Sequence, residues 1–324
     1  RLTPATGGNG HPTLGPGGLD LASVGYTESE YYLDGRATSY AAVGPLRESG
    51  RWTVEPGTEA TYRTRVVVRR PKDAAAFNGS VAVEWFNVSG GLDAAPDWTF
   101  AHVELIRSGW AWVGVSAQKI GIDGGGGPGA ILALKTADKA RYGSLDHPGD
   151  QYSYDIFSQA GAAVRTQAKQ LLGGLAPERV FAIGESQSAF RLTTYANAIQ
   201  PRTNLFDGFL IHSRGGSAAP LGADETDDAP PTPTFIRTDL DVPVLVLATE
   251  SDLPVDGGLG YEAARQQDTD RFRTWEIAGT AHIDAYGLGI GDTDDGSGAA
   301  DEAAFAAMLA PPSKVYGGVI TCDA

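Results

Sequence analysis

Two hydrophobic rhythms run along the chain. From Ala60 to Arg70 the period is two, with Tyr62, Thr64, Val66 and Val68 on one side and Arg63, Arg65 and Arg69 on the other. This alternation predicts a half-buried antiparallel strand near a sheet edge. Ser80 to Asn87, Trp110 to Ser116, Val180 to Ile183, Phe209 to His212 and Val242 to Ala248 are more continuously apolar, as parallel strands covered on both faces must be. Arg271 to Ile277 is also strand-like.

The intervening rhythm is helical. Tyr154 to Leu172 sets Ile156, Ala160, Val164, Ala168 and Leu171 or Leu172 on one stripe and stops at Gly173-Gly174. Another helix opens at Pro96, where proline gives up only an N–H that a first turn leaves unpaired, and closes at Ser108-Gly109. Ala189 to Ile199 and Asp301 to Leu309 read as further helices. Strands alternating with helices predict an α/β protein with a mostly parallel, doubly wound sheet and helices on both faces.

Two stretches break the alternation. Residues 119–151 are glycine-rich, and residues 214–241 are rich in Pro, Asp and Ala. Irregular segments of this length are commonly lids or disordered loops. The second falls where a cap over the active site would be inserted, and is read as a lid. With 324 residues and 42% hydrophobic content, the chain has the material for one sizeable domain spanning 1–324.

Charge narrows the partners. A formal charge of −15 opposes binding to nucleic acid or anionic lipid, which need a cationic face, and disfavours strongly anionic substrates. No apolar run approaches the roughly 20 residues needed to span a bilayer. The single cysteine, Cys322, excludes an internal disulfide framework and a cysteine-rich zinc site. The start at Arg1 without methionine and the Gly/Pro-rich stretch through Gly18 fit a processed secretory protein or a trimmed chain, and lead to the expectation of a secreted or periplasmic protein.

Candidate chemistry centres on Gly184-Glu185-Ser186-Gln187-Ser188. A strand leads into it and a helix follows, the order that lifts a serine hydroxyl above a sheet and frees the next backbone N–H. A serine is a weak nucleophile near neutral pH, so an imidazole must take its proton and a carboxylate must orient that imidazole. His282, just beyond the last strand, is the candidate base. Val244 to Thr249 delivers both Glu250 and Asp252 to one strand exit, and Asp252 is favoured by its offset. The Gln187 N–H is the first oxyanion donor. A second is expected from the loop Asn87-Val88-Ser89-Gly90-Gly91, at Val88 or Ser89, where glycines permit close approach. Trp85, Asn87, Trp98, Tyr152 and His212 are candidates for lining a substrate pocket.

Other signals carry less. Gly121 to Gly129 lacks the Lys-Ser/Thr ending of a phosphate loop and reads as a flexible gate. His102-Val103-Glu104 lacks the paired cysteines of a deaminase zinc site. Asp292, Asp294, Asp295 and Glu302 miss the first ligand position of a calcium loop. No metal and no organic cofactor is expected.

The segments Val83 to Gly91, His147 to Phe157 and His212 to Gly216, together with the serine elbow, resemble the α/β-hydrolase superfamily, and more narrowly a bacterial family of α/β-hydrolase-domain proteins. The resemblance covers most of the chain from about residue 60 onward. It implies the α/β-hydrolase fold and a Ser186–His282–acid triad; Ser188 departs from the usual second glycine of the elbow. The resulting expectation is a serine carboxylesterase acting through an acyl-enzyme on a neutral, fairly apolar small-molecule ester. A lactonase, amidase or acyltransferase with the same triad, or a non-catalytic binding protein of this fold, stays open.

Overall fold

The computed structural model describes residues 1–14, 18–125, 129–222 and 229–310, with the backbone of 314–315 and 320–321. Parts of the two irregular stretches, 126–128 and 223–228, lie outside the described residues, as do 15–17 of the opening segment and Cys322.

Nine strands form one sheet: β1 (Leu2–Pro4), β2 (Tyr26–Ala42), β3 (Val54–Pro71), β4 (Ser80–Trp85), β5 (Ala111–Val115), β6 (Arg179–Glu185), β7 (Gly208–His212), β8 (Val244–Thr249) and β9 (Phe272–Ile277). Their spatial order is β1-β2-β3-β5-β4-β6-β7-β8-β9. The pairs β1/β2, β2/β3 and β3/β5 are antiparallel, and every pair from β5 to β9 is parallel. Five parallel crossovers therefore carry all six of the later strand ends to one edge of the sheet.

Continuous apolar sequence produces the parallel half. All six residues of β4 and all five of β5 are buried. Helices cover both faces: α1 (Pro96–Arg107), α2 (Ser153–Thr166) and α3 (Gln187–Thr194) among them. Proline opens α1, as the sequence predicts. The helix expected over 154–172 breaks at Gln167, and a separate turn covers Ala168–Leu171. The helix expected over 189–199 begins two residues earlier and gives way to a wider-pitched π turn at Tyr195–Ile199. The last helix, α4, is Ala299–Leu309.

The strand expected at Ala60 to Arg70 is the C-terminal part of β3, antiparallel and third from the sheet edge, paired with β2 and, over Val66–Arg69, with β5. Its arginine face is not wholly open to water. Arg65 is fully buried, with its guanidinium 2.8 Å from Asp93 and 3.5 Å from Glu30. The opening segment and Tyr142 cover it, Thr13 O accepting from Arg65 and the Tyr142 ring lying 5.7 Å from the guanidinium carbon. The 17-residue partner strand β2 carries polar residues on both faces, which hides its period.

The described part of 214–241 is packed into the main core rather than raised over the sheet edge. Leu221 and Ile236 are buried there, and Arg214 is fully enclosed. Among the described residues, no helix is long and apolar enough to cross a membrane.

Candidate active site

Strand β6 ends at Glu185, and α3 starts at Gln187. Ser186 between them has φ 56° and ψ −118°, a strained conformation that L-residues seldom adopt. Two features hold it there. The Ser186 N–H donates to the His212 carbonyl at the end of β7, 2.9 Å away. On the other side the turn is compact: a side-chain carbon at Gly184 would sit 3.0 Å from both Ser188 Cβ and Leu192 Cδ1, so any larger residue would push these neighbours back. Ser188 is accommodated by burial, at the cost of a hydroxyl with no hydrogen-bond partner among the described residues.

The other two strand ends complete the set. His282 follows β9, and its Nε2 lies 2.7 Å from Ser186 Oγ. Its Nδ1 donates to Asp252 Oδ1, also at 2.7 Å. A hydrogen on Nδ1 leaves Nε2 as the acceptor for the serine hydroxyl. Asp252 is fully buried, and its second oxygen accepts from the Thr249 N–H at 2.7 Å. Glu250 does not reach the imidazole; it accepts from the Gly279 N–H at 2.6 Å and so braces the loop that carries His282. Ser251 Oγ accepts from the His282 N–H at 2.6 Å.

The electrostatics suit proton transfer. Burial works to raise the Asp252 carboxyl, yet hydrogen bonds from His282 and Thr249 outweigh it and hold the group below the ordinary carboxylate range. The hydrogen bond to Asp252 raises His282 above the usual imidazole value against the opposing effect of burial, and Glu185 adds to the rise. Glu185 is itself buried, which pushes its carboxyl up to about 7, although His282 and His212 pull the other way.

A cavity of about 330 Å³ opens above Ser186. Leu92, Pro96, Phe100, Ile131, Leu132 and Ile283 give it apolar walls, and Asn87, Glu185 and His282 give it a polar floor. Of the residues expected at the pocket, Asn87 lines it. Trp85 and Tyr152 instead belong to the main core, where Trp85 packs on Tyr154 and Phe157 and Tyr152 bonds Thr58. Trp98 lies in a second core cluster between Trp112 and His102. Large aromatic residues on strands and helix faces are drawn to the core by their area, which accounts for all three. His212 stands beside the elbow with Nδ1 bonded to Asp97 at 2.8 Å, its ring edge-on to Phe100. Nothing of the described part of 214–241 reaches the cavity; the glycine-rich stretch supplies the wall at Gly129, Ile131 and Leu132.

Of the two expected loop donors, the Ser89 N–H is already used by Asn87 Oδ1 at 2.8 Å. The Gln187 N–H opens α3, where helix geometry leaves it without an intrahelical acceptor. Asp292 and Asp294 bond Thr99 and Tyr286, and Asp295 accepts from the Ser297 N–H.

No curated protein sequence matches the chain. Among solved structures it is similar to the esterase Est22 (13% identity, 80% of this chain and 74% of that one, TM-score 0.42). It is also similar to a glucuronoyl esterase from Solibacter usitatus (11% identity, 78% of each chain, TM-score 0.41). An alpha-beta serine hydrolase homologue from Coxiella burnetii gives 12% identity over 68% of this chain and 84% of that one, with a TM-score of 0.39. A family model described as "Alpha/beta hydrolase domain" matches residues 2–316, taking in the long antiparallel strands as well as the serine elbow. By that match over nearly the whole chain, the protein belongs to the alpha/beta hydrolase domain family.

Proposed function

We propose that this protein is a serine hydrolase of carboxylic esters that works through an acyl-enzyme. The observation that carries the reading is the unbroken line from Ser186 Oγ through His282 to the buried Asp252, each contact 2.7 Å, on the floor of an apolar cavity. In the first step Ser186 Oγ attacks the ester carbonyl carbon while its proton passes to His282 Nε2. The carbonyl electron pair moves onto oxygen, which the N–H groups of Gln187 and Val88 receive. The imidazolium, steadied by Asp252, then protonates the departing alkoxide. Water repeats the sequence on the acyl-enzyme, and Ser186 is restored.

The walls favour a neutral, compact ester. About 330 Å³ is at the small end of the roughly 300–1,000 Å³ usual for small-molecule sites. Glu185 on the floor and the net charge of −15 oppose an anionic acyl group.

Fluorophosphonate treatment followed by peptide mapping tests the assignment. Ser186 is expected to carry the label, His282→Ala to prevent labelling, and Ser186→Ala to lose on the order of a millionfold in ester turnover. Ester hydrolysis by Ser186→Ala at the parent's rate would end it.

A further inference from the structure

His282 Nε2 has two oxygen neighbours. Besides Ser186 Oγ at 2.7 Å, Glu185 Oε1 stands 3.3 Å away, and the mechanism above leaves it idle. Its position is built. Asn87, from the loop after β4, donates to Glu185 Oε2 at 3.0 Å and to the Glu185 carbonyl at 3.2 Å. Glu185 pairs in register with His212 across β6 and β7, which sets the two side chains next to each other on the same face of the sheet. His212 is in turn fixed by Asp97 of α1 at 2.8 Å. Glu185 therefore lies between two imidazoles, each backed by its own aspartate.

We propose that Glu185 is a second carboxylate on the His282 imidazole, sharing the Nε2 proton with Ser186 Oγ and stabilising the imidazolium that forms during acyl transfer. The proposal rests on the serine-hydrolase reading of the same site. When the serine proton arrives on Nε2, the positive ring faces Asp252 at one nitrogen and Glu185 at the other. The N–H stays on the nitrogen until the leaving alkoxide takes it; Glu185 contributes charge and accepts no proton. The groups that face Glu185 are His282 from the loop after β9, His212 at the end of β7, Asn87 after β4 and Asp97 on α1; Asp252, after β8, lies behind His282. Burial raises the Glu185 carboxyl to about 7, so the negative charge is present on the alkaline side of neutrality, where His282 must be neutral to act.

The measurement is the pH profile of kcat/KM for an activated ester, with Glu185→Gln beside the parent and Ser186→Ala as reference. The glutamine keeps the shape and lacks the charge. A nearby opposite charge typically moves a pKa by one unit or more, so the acid limb of E185Q is expected about one pH unit lower, with kcat down about tenfold and KM within about twofold. An acid limb coincident with the parent's would overturn the role of Glu185 while inactive Ser186→Ala leaves the hydrolase reading standing. Activity retained by Ser186→Ala would instead remove that reading itself. A second test needs no variant: the His282 ring nitrogens, followed by NMR in the parent, are expected to titrate in two steps because the pair is coupled. A single step would equally overturn the proposal.

Discussion

The molecule buries two clusters of charge, and they are built on opposite principles. Beneath the antiparallel strands, Arg65 and Arg141 meet Glu30 and Asp93, with Tyr142 donating to Glu30 at 2.9 Å. Cations and carboxylates balance, and guanidinium groups do not give up protons in proteins. At the ends of the parallel strands, Asp252, Glu185 and Asp97 surround His282 and His212. Acids outnumber imidazoles, and every one of these cationic partners can release its proton. The first cluster has nothing to transfer and fastens β2, β3 and the opening segment together. Only the second can move a proton near neutral pH.

Asp252→Asn should cost about 10⁴-fold in kcat by turning the imidazole to the wrong tautomer, whereas Glu250→Gln, whose carboxylate accepts from the Gly279 N–H, should stay within about tenfold; steady-state ester hydrolysis separates them. Equal losses would mean that the acid assignment is wrong.

On the fixed cluster the effect should appear in stability. Arg65→Met leaves Asp93 in the interior without its cation, while Glu30 keeps Arg141, and urea unfolding should show a loss of roughly 3–5 kcal/mol, with kcat of the folded fraction little changed. A variant as stable as the parent would show that these charges do not hold the strands.

The poised cluster should also leave a mark on stability against pH. A carboxyl whose folded value is raised from 4.5 to about 7 binds its proton more tightly in the folded state. Its contribution is therefore fully present below pH 4.5 and is lost as pH rises through 7, a change of roughly 3 kcal/mol. Glu185→Gln should remove that loss and gain stability over the parent at pH 8 but not at pH 5, as thermal melts at the two values would show. The smallest effect is expected at the elbow. Ser188→Ala removes a buried hydroxyl that has no hydrogen-bond partner among the described residues, and should stabilise the fold by about 1 kcal/mol without changing kcat.

The parallel half was legible because its signals are local. An apolar run, a Gly-x-Ser turn and a following helix lie within about twenty residues, and Ser186, Asp252 and His282 each sit at a strand exit that the pattern marks. What escaped depends on distant partners. Arg65 reads as solvent-facing until Asp93 and Glu30 are seen to meet it, and β2 reads as irregular until β3 lies alongside. The pocket failed for a related reason. Trp85, Trp98 and Tyr152 are large and near the elbow in sequence, so they attract the assignment, but the core has the stronger claim on their area. Phe100, Ile131 and Ile283 line the cavity instead, each close in sequence to a candidate site residue or within the glycine-rich stretch. Proximity to the oxyanion loop and to His282 was the available signal for Phe100 and Ile283.

The acid turn grips the histidine loop at three places: Glu250 to the Gly279 N–H, Ser251 to the His282 N–H, and Asp252 to the ring. Ser186 meets the same loop through a single side-chain contact of 2.7 Å. Base and acid are therefore joined to each other more firmly than either is to the nucleophile, whose side reaches the loop only at Nε2, through Ser186 Oγ and Glu185 Oε1. Strain on the loop would fall first on the serine contact and leave the imidazole correctly turned.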